Sequence, residues 1–412
     1  MRFPPSGAFG DEREIEAVVA VMRNNPTLDI GEATEELERR TAELLSKKYG
    51  LMVNSGSSAL RIAIDLLHLE RGDEIITSPL CFSTDIAPMV QSGIVPVFAD
   101  ITPNTYQIDV DAIEAMIGPR TKAILVPNLC GNCPDWDAIR AIADRHDLLV
   151  VEDSADVLDS WQRGSRTGTR SDITITSFAR SHAMTAAGTG GLVGVDDPDL
   201  FDEALSLRRW GRRSERYLFG SEKRAGDARS EEDGQAGKLE RFGELADGTP
   251  YDLIFTFDTV GYNFEPNELG SAYGLVQLEK LPGFNEQRTA NWSKLNDFFG
   301  TRDGFTGGDT TPDTDTTWMR FCFTLDDDFA WGRNEVQAFL DDRGVSTRMV
   351  WTGNILRQPA FVNIEHRQPE GGLPNCDRMM DRSLSLPIYH ALNADHMGYI
   401  CEQVDALLSE VS

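Results

Sequence analysis

The chain has 412 residues, 40% of them hydrophobic and 26% charged, enough apolar mass for a sizeable core in about two to three domains. Its formal net charge is −28, which argues against DNA, RNA or an anionic membrane as a partner, because phosphate binding needs cations. No apolar run is long enough to span a bilayer and the start carries no basic-then-apolar signal, so the expected location is the cytoplasm, where six Cys do not form a disulfide framework.

Residues 11–48 alternate apolar and acidic positions at helical spacing. A short strand, Leu51–Val53, leads into Asn54-Ser55-Gly56-Ser57-Ser58 and an apolar helix over Ala59–Leu69. Strands and helices then alternate. Strands are predicted over 74–77, 95–99, 123–127 and 148–153, with helices over 84–91, 110–117 and 135–145 between them. Further strands fall at 173–178 and 192–195, then a helix at 198–210. Apolar strand runs separated by helices read as a mostly parallel, doubly wound α/β sheet covered on both faces.

Residues 220–250 are rich in Gly, Glu, Arg and Asp, and read as a mobile insertion. A helix near Glu268–Leu281 leads out of a large domain, placed at 1–285. The remainder, 286–412, reads as a small C-terminal α+β domain with strands at 320–325 and 346–350 and a last helix over 396–408. Only seven residues are Lys; that skew and the acid excess fit either adaptation to high salt or genomic base composition.

Ligands of an open parallel sheet bind beyond the carboxyl ends of its strands, and several unusual segments fall there. The Ser55–Ser58 turn offers backbone N–H groups and a helix dipole to a phosphate, although such turns also serve simply as helix caps. Asp153 closes the most apolar strand; a carboxylate there can pair with a cationic ring nitrogen, or cap a helix or join a buried ion pair. His182 lies in a loop of small residues after the 173–178 strand, where a neutral imidazole can act as a general base. Cys130-x-x-Cys133 and Cys81 could bring three thiols together, but a metal site normally needs four ligands and no second Cys pair exists, so these read as reduced structural Cys.

The order of these segments resembles the DegT/DnrJ/EryC1/StrS sugar aminotransferase family of fold type I pyridoxal phosphate enzymes. The resemblance is carried by Asn54–Leu60, Gly72–Thr77, Val95–Asp100, Val151–Asp153, Ser177-Phe178, Gly190-Gly191 and Gly261-Tyr262-Asn263, and covers roughly residues 10–410. It implies that Gly56, Ser57 and Ser177 hold the cofactor phosphate, that Phe82 stacks on the pyridine ring, and that Asp153 pairs with the ring N–H. It also implies a homodimer in which Asn263 reaches the neighbouring subunit's cofactor.

Most members have a Lys five positions after Ser177, which forms the internal Schiff base; here that position is His182. An imidazole forms no aldimine but still moves protons. The change resembles the nucleotide-sugar 3-dehydratase branch, as do Leu129–Asn132, Leu207–Arg212, Gly261–Phe264 and Thr347–Asn354 with Arg357-Gln358-Pro359. One form of that branch holds an iron–sulfur cluster on four Cys. The first cluster position is here Ser154, and later ones fall in Arg213–Arg216, so the resemblance is to the form without iron, which uses glutamate to regenerate the cofactor's amine. Ala179 and Gly188-Thr189-Gly190-Gly191 depart from the branch pattern. The expectation is a sugar 3-dehydratase with His182 as base and non-covalently bound pyridoxal or pyridoxamine phosphate. Arg208, Arg209, Arg212 or Arg348 would take a nucleotide diphosphate or a glutamate carboxylate, since Arg forks suit both. An ordinary sugar transaminase and a catalytically silent relative are the alternatives.

Overall fold

A computed structural model describes residue 3, residues 9–224 and residues 242–411. Seven strands form the central sheet: β1 (Tyr49–Val53), β2 (Glu74–Thr77), β3 (Val95–Phe98), β4 (Thr121–Pro127), β5 (Leu149–Asp153), β6 (Ile173–Ser177) and β7 (Gly191–Val195). Their spatial order is β1-β7-β6-β5-β4-β2-β3, and only β7 runs antiparallel to its neighbours. The period-2 alternation of strand side chains feeds two cores. Leu125 and Val151 join a cluster on one face with Leu60 and Leu205, while Ile124 and Val150 join a cluster on the other with Ile113 and Ile139. Both faces are covered by helices, as the near-continuous apolar strand runs predicted.

Helix starts are set by short polar side chains. Ser55 caps the helix Gly56–Asp65, Asp135 caps Trp136–His146 and Asp197 caps Pro198–Arg208, each accepting a first-turn N–H. The helix predicted to end at Leu281 continues from Glu268 to Phe299, straight through Pro282. A proline inside a helix removes one backbone bond. Here the loss is offset because one end of the helix, at Leu278 and Leu281, packs in a core with β7 residue Leu192, and the other, at Leu295 and Phe299, packs in the C-terminal core. A boundary at 285 therefore falls inside a continuous helix.

The C-terminal part holds a four-stranded antiparallel sheet in the order Phe305–Gly307, Arg320–Leu325, Ser383–Pro387, Arg348–Met349, with helices at Arg333–Asp342, Pro374–Arg382 and Ala394–Val411. Its core reaches back to Leu80, Phe98 and Leu129 of the large sheet's rim. Of the 220–250 segment predicted as an insertion, 225–241 lie outside the described residues; the following chain forms a hairpin, Phe242–Glu244 with Pro250–Asp252. No helix among the described residues is long and apolar enough to cross a membrane.

Candidate active site

The carboxyl ends of β1, β5 and β6 and the amino end of the reversed β7 meet at one sheet edge. In β7, Gly191 stands opposite Val53 on one side and Ser177 on the other. That register brings the Asn54–Ser58 turn against Ser177. A Cβ on Gly191 would lie 2.5 Å from the Ser55 backbone, and one on Gly56 would lie 2.7 Å from the Ser177 Cβ. The turn is thus a close-fitting cradle at a helix N-terminus, lined by the Ser57 and Ser177 side chains, with the donors and dipole that suit a phosphate.

This cradle forms one end of a cavity of about 490 Å³, lined among others by Ser57, Phe82, Asp153, Ser177 and His182. Asp153 ends β5, is 6% exposed, and accepts the Ala155 N–H at 2.8 Å. Burial raises its carboxyl above the usual range, opposed by hydrogen bonding and by His182. The Phe82 ring is 45% exposed and lies 5.7 Å from the Trp351 ring, leaving one aromatic face available beside the cavity. His182 donates or accepts through Nδ1 at 3.1 Å from Asp156 Oδ1. Asp156 Oδ2 already accepts the Cys130 N–H. The carboxylate therefore favours the tautomer with the proton on Nδ1, which leaves Nε2 as the basic atom. No Lys of the described residues lines the cavity. Lys47 is tied to the Ser171 carbonyl and Asp196, and Lys280 to Glu14.

The far wall comes from the long helix and the C-terminal part. Arg288, Arg320 and Arg348 reach it, and Arg180 faces them from the His182 loop. Arg288 is fully enclosed, donates to the Ala183 carbonyl at 2.8 Å and contacts His390 Nδ1 at 3.3 Å; burial pushes its pKa down to about 10. Arg320 donates to Ser385 Oγ at 2.7 Å, and burial lowers it as well. Asp156, Arg180, Arg288 and Arg320 were not singled out from the sequence. For Asp156 the signal was available three residues after Asp153, and for Arg180 two residues before His182; for Arg288 and Arg320 the contacts are long-range. Ala179 and Thr189, the departures from the branch pattern, both line the cavity.

Three of the four arginines expected to take substrate do not line this cavity. Arg208 is 2% exposed and donates to Glu38 and the Met52 carbonyl, so it braces β1. Arg212 stacks on Trp210 and Phe255 outside the cavity, and Arg209 pairs with Glu215 and Glu265. Arg348 does line the cavity. Asn263 is exposed and stands outside the cavity of its own chain, its carbonyl 3.5 Å from Asn54 Nδ2. Cys130 and Cys133 face different cores; contact with the Cys322 thiol and then burial raise the Cys130 thiol, and burial raises that of Cys133.

The model of the DegT/DnrJ/EryC1/StrS aminotransferase family matches residues 9–405. The chain belongs to this family. It is 32% identical to the lipopolysaccharide biosynthesis protein RfbH of Salmonella typhimurium, over 98% of this chain and 91% of that one. It is 34% identical to the dTDP-4-dehydro-2,6-dideoxy-D-glucose 3-dehydratase of Saccharopolyspora spinosa, over 99% and 87%. Among solved structures, the E. coli GDP-4-keto-6-deoxy-D-mannose-3-dehydratase with bound hydrated PLP superposes with a TM-score of 0.84 at 26% identity, covering 98% of this chain and 99% of that one. The family's fold type I architecture, with its large mostly parallel sheet and smaller C-terminal α+β part, is the architecture described above.

Proposed function

We propose that this chain is a pyridoxal phosphate- or pyridoxamine phosphate-dependent enzyme that removes the C3 hydroxyl of a nucleotide-linked 4-keto-6-deoxy sugar, with His182 as the base. The observation that carries the reading is the imidazole itself: it lines the cavity, its Nδ1 is held by Asp156, and no Lys of the described residues shares the wall. The residues present suit the cofactor. The Gly56–Ser57 cradle with Ser177 would hold its phosphate, Phe82 would cover the ring, and Asp153 would hold the proton on the ring nitrogen.

When bound, the pyridoxamine form supplies an amine for the sugar's C4 carbonyl and an electron-accepting ring. With His182 at the position of the family's Schiff-base Lys, it would bind without a covalent tether. His182 Nε2 would take the proton from the carbon that bears the amine and would return it to the C3 oxygen, which would leave as water; general acid–base help of this kind is worth roughly 10²–10⁴-fold. Arg180 and Arg348 would take the diphosphate, and glutamate would restore the amine form. Asn263, exposed outside its own cavity, would serve the site of a second copy in a homodimer.

The test is mass spectrometry of products from a panel of 4-keto-6-deoxy nucleotide sugars, with and without glutamate. A 3-deoxy product is expected. An amino sugar would instead assign transamination, the activity in the family's name, and no turnover with no cofactor uptake would mark a silent relative. Borohydride should leave the cofactor removable; fixation to any Lys would overturn the role given to His182.

A further inference from the structure

Behind Asp153 lies a second buried carboxyl that the reading above does not use. Asp85 sits in the first turn of the helix Ser83–Ser92 and is 1% exposed. Its Oδ2 accepts the Phe82 N–H at 2.8 Å. Its Oδ1 is buried with no donor among the described residues, yet the side chain is within hydrogen-bond contact of Asp153. Two carboxylates in contact away from water do not both ionise. A proton on Oδ1 removes the conflict: the orphaned oxygen becomes a donor and Asp153 its acceptor.

The surroundings decide which carboxyl keeps that proton. Asp153 also receives the Ala155 N–H and faces His182, both of which favour its charge. Asp85 faces the charges of Asp153 and Asp156, and the buried Cys81 thiol is near enough to feel its charge. Burial and those two carboxylates push the Asp85 carboxyl well above its ordinary range.

We propose that Asp85 is a positioning residue, carried as the neutral acid, which donates from Oδ1 to Asp153 and so keeps Asp153 ionised and aimed at the cofactor's ring nitrogen. This rests on the reading of Asp153 as the ring partner. A single negative charge then faces a single ring proton, where two carboxylates would otherwise repel each other. Phe82 and Asp85 lie on one turn, so the ring cover and the acid behind the ring partner move as a unit.

Asp85→Asn keeps a donor of the same shape; Asp85→Leu removes it. In the cofactor-free protein at neutral pH, the infrared difference between wild type and Asp85→Asn should contain the carbonyl band of a protonated carboxyl; its absence overturns the proposal. With ring-¹⁵N pyridoxamine phosphate, wild type and Asp85→Asn should show a protonated ring nitrogen and similar Kd. Asp85→Leu should lose that protonation at lower pH and weaken Kd by about tenfold, the cost of one charge-assisted bond. Normal uptake with Asp85→Leu indistinguishable from wild type overturns this proposal alone. No uptake by wild type overturns the cofactor reading, and the proposal with it.

Discussion

His182 Nδ1 lies 3.1 Å from Asp156 Oδ1, while the other Asp156 oxygen accepts the Cys130 N–H at 3.0 Å. Both carboxylate oxygens are therefore spoken for by donors. An amide at this position has one acceptor oxygen for two donors, so Asp156→Asn must leave one of them facing an NH₂. If His182 loses, its tautomer flips and Nε2 becomes a donor. We expect Asp156→Asn to lower kcat while pyridoxamine phosphate still binds, because the imidazole loses the acceptor that holds its proton on Nδ1. His182→Asn should lose roughly 10²–10⁴-fold, and Asp156→Asn should fall between it and wild type. An Asp156→Asn variant with unchanged kcat would show that the pair is structural.

The phosphate cradle gives a sharper steric test. Gly56 faces Ser177 so closely that a methyl group would sit 2.7 Å from its Cβ and 2.9 Å from its Oγ. Gly56→Ala must push the turn away from Ser177 or turn the Ser177 hydroxyl out of the cavity. Strain of this kind costs about 1–3 kcal/mol, which as lost ligand affinity is roughly tenfold or more in Kd. The measurement is pyridoxamine phosphate Kd by fluorescence titration beside Tm. The expected pattern is a clear loss of affinity for pyridoxamine phosphate; affinity unchanged at full cofactor occupancy would put the phosphate elsewhere.

Much of this cradle and of the sheet was legible from residues alone, and the reason is local. The strands at 74–77, 95–98 and 149–153 are apolar runs bounded by turn residues, and the observed bounds agree within a residue or so. Asp153 and Ser177 close strands, and Ser57 and His182 lie just after strand ends, where this class of sheet puts its ligands. What was not legible depends on partners far along the chain. Arg208 read as a free cation at a helix end, but its acceptor Glu38 lies 170 residues earlier. Arg288 reaches the cavity only because the helix runs on through Pro282, and its contacts to Ala183 and His390 lie about a hundred residues away in either direction. No periodicity in one sequence encodes such pairings.

Charge predicts how the protein responds to salt. A net charge of −28 with only seven Lys repels itself, and the penalty falls as the Debye length shrinks from about 10 Å at 0.1 M to about 3 Å at 1 M salt. Isolated surface ion pairs such as Arg302–Asp405 and Arg357–Asp377 lose little in exchange, since exposed pairs are worth about 0–1 kcal/mol. Raising KCl from 0.1 M to 1 M should therefore raise Tm. Sucrose serves as a control for solvent exclusion without screening. A Tm that is flat or falls in KCl would leave genomic base composition as the source of the acid excess.

Acid sensitivity should trace to His390. Its ring stacks on Phe284 at 3.8 Å, Nδ1 lies 3.3 Å from the Arg288 guanidinium, and Nε2 is buried without a partner among the described residues. Burial first, and the nearby cations Arg288 and Lys280 after it, push its pKa down from 6.5 to about 3. Between those values the unfolded chain binds a proton that the folded chain refuses. Stability therefore rises with pH through this window, and falls as pH drops from about 6.5 towards 3. His390→Gln keeps an acceptor for Arg288 and cannot titrate. Urea unfolding at pH 7 and pH 5, where the carboxylates stay largely ionised, should show wild type losing more stability than His390→Gln. Equal losses in the two proteins would mean that His390 is already protonated when folded, and that its contact with Arg288 is not the one described.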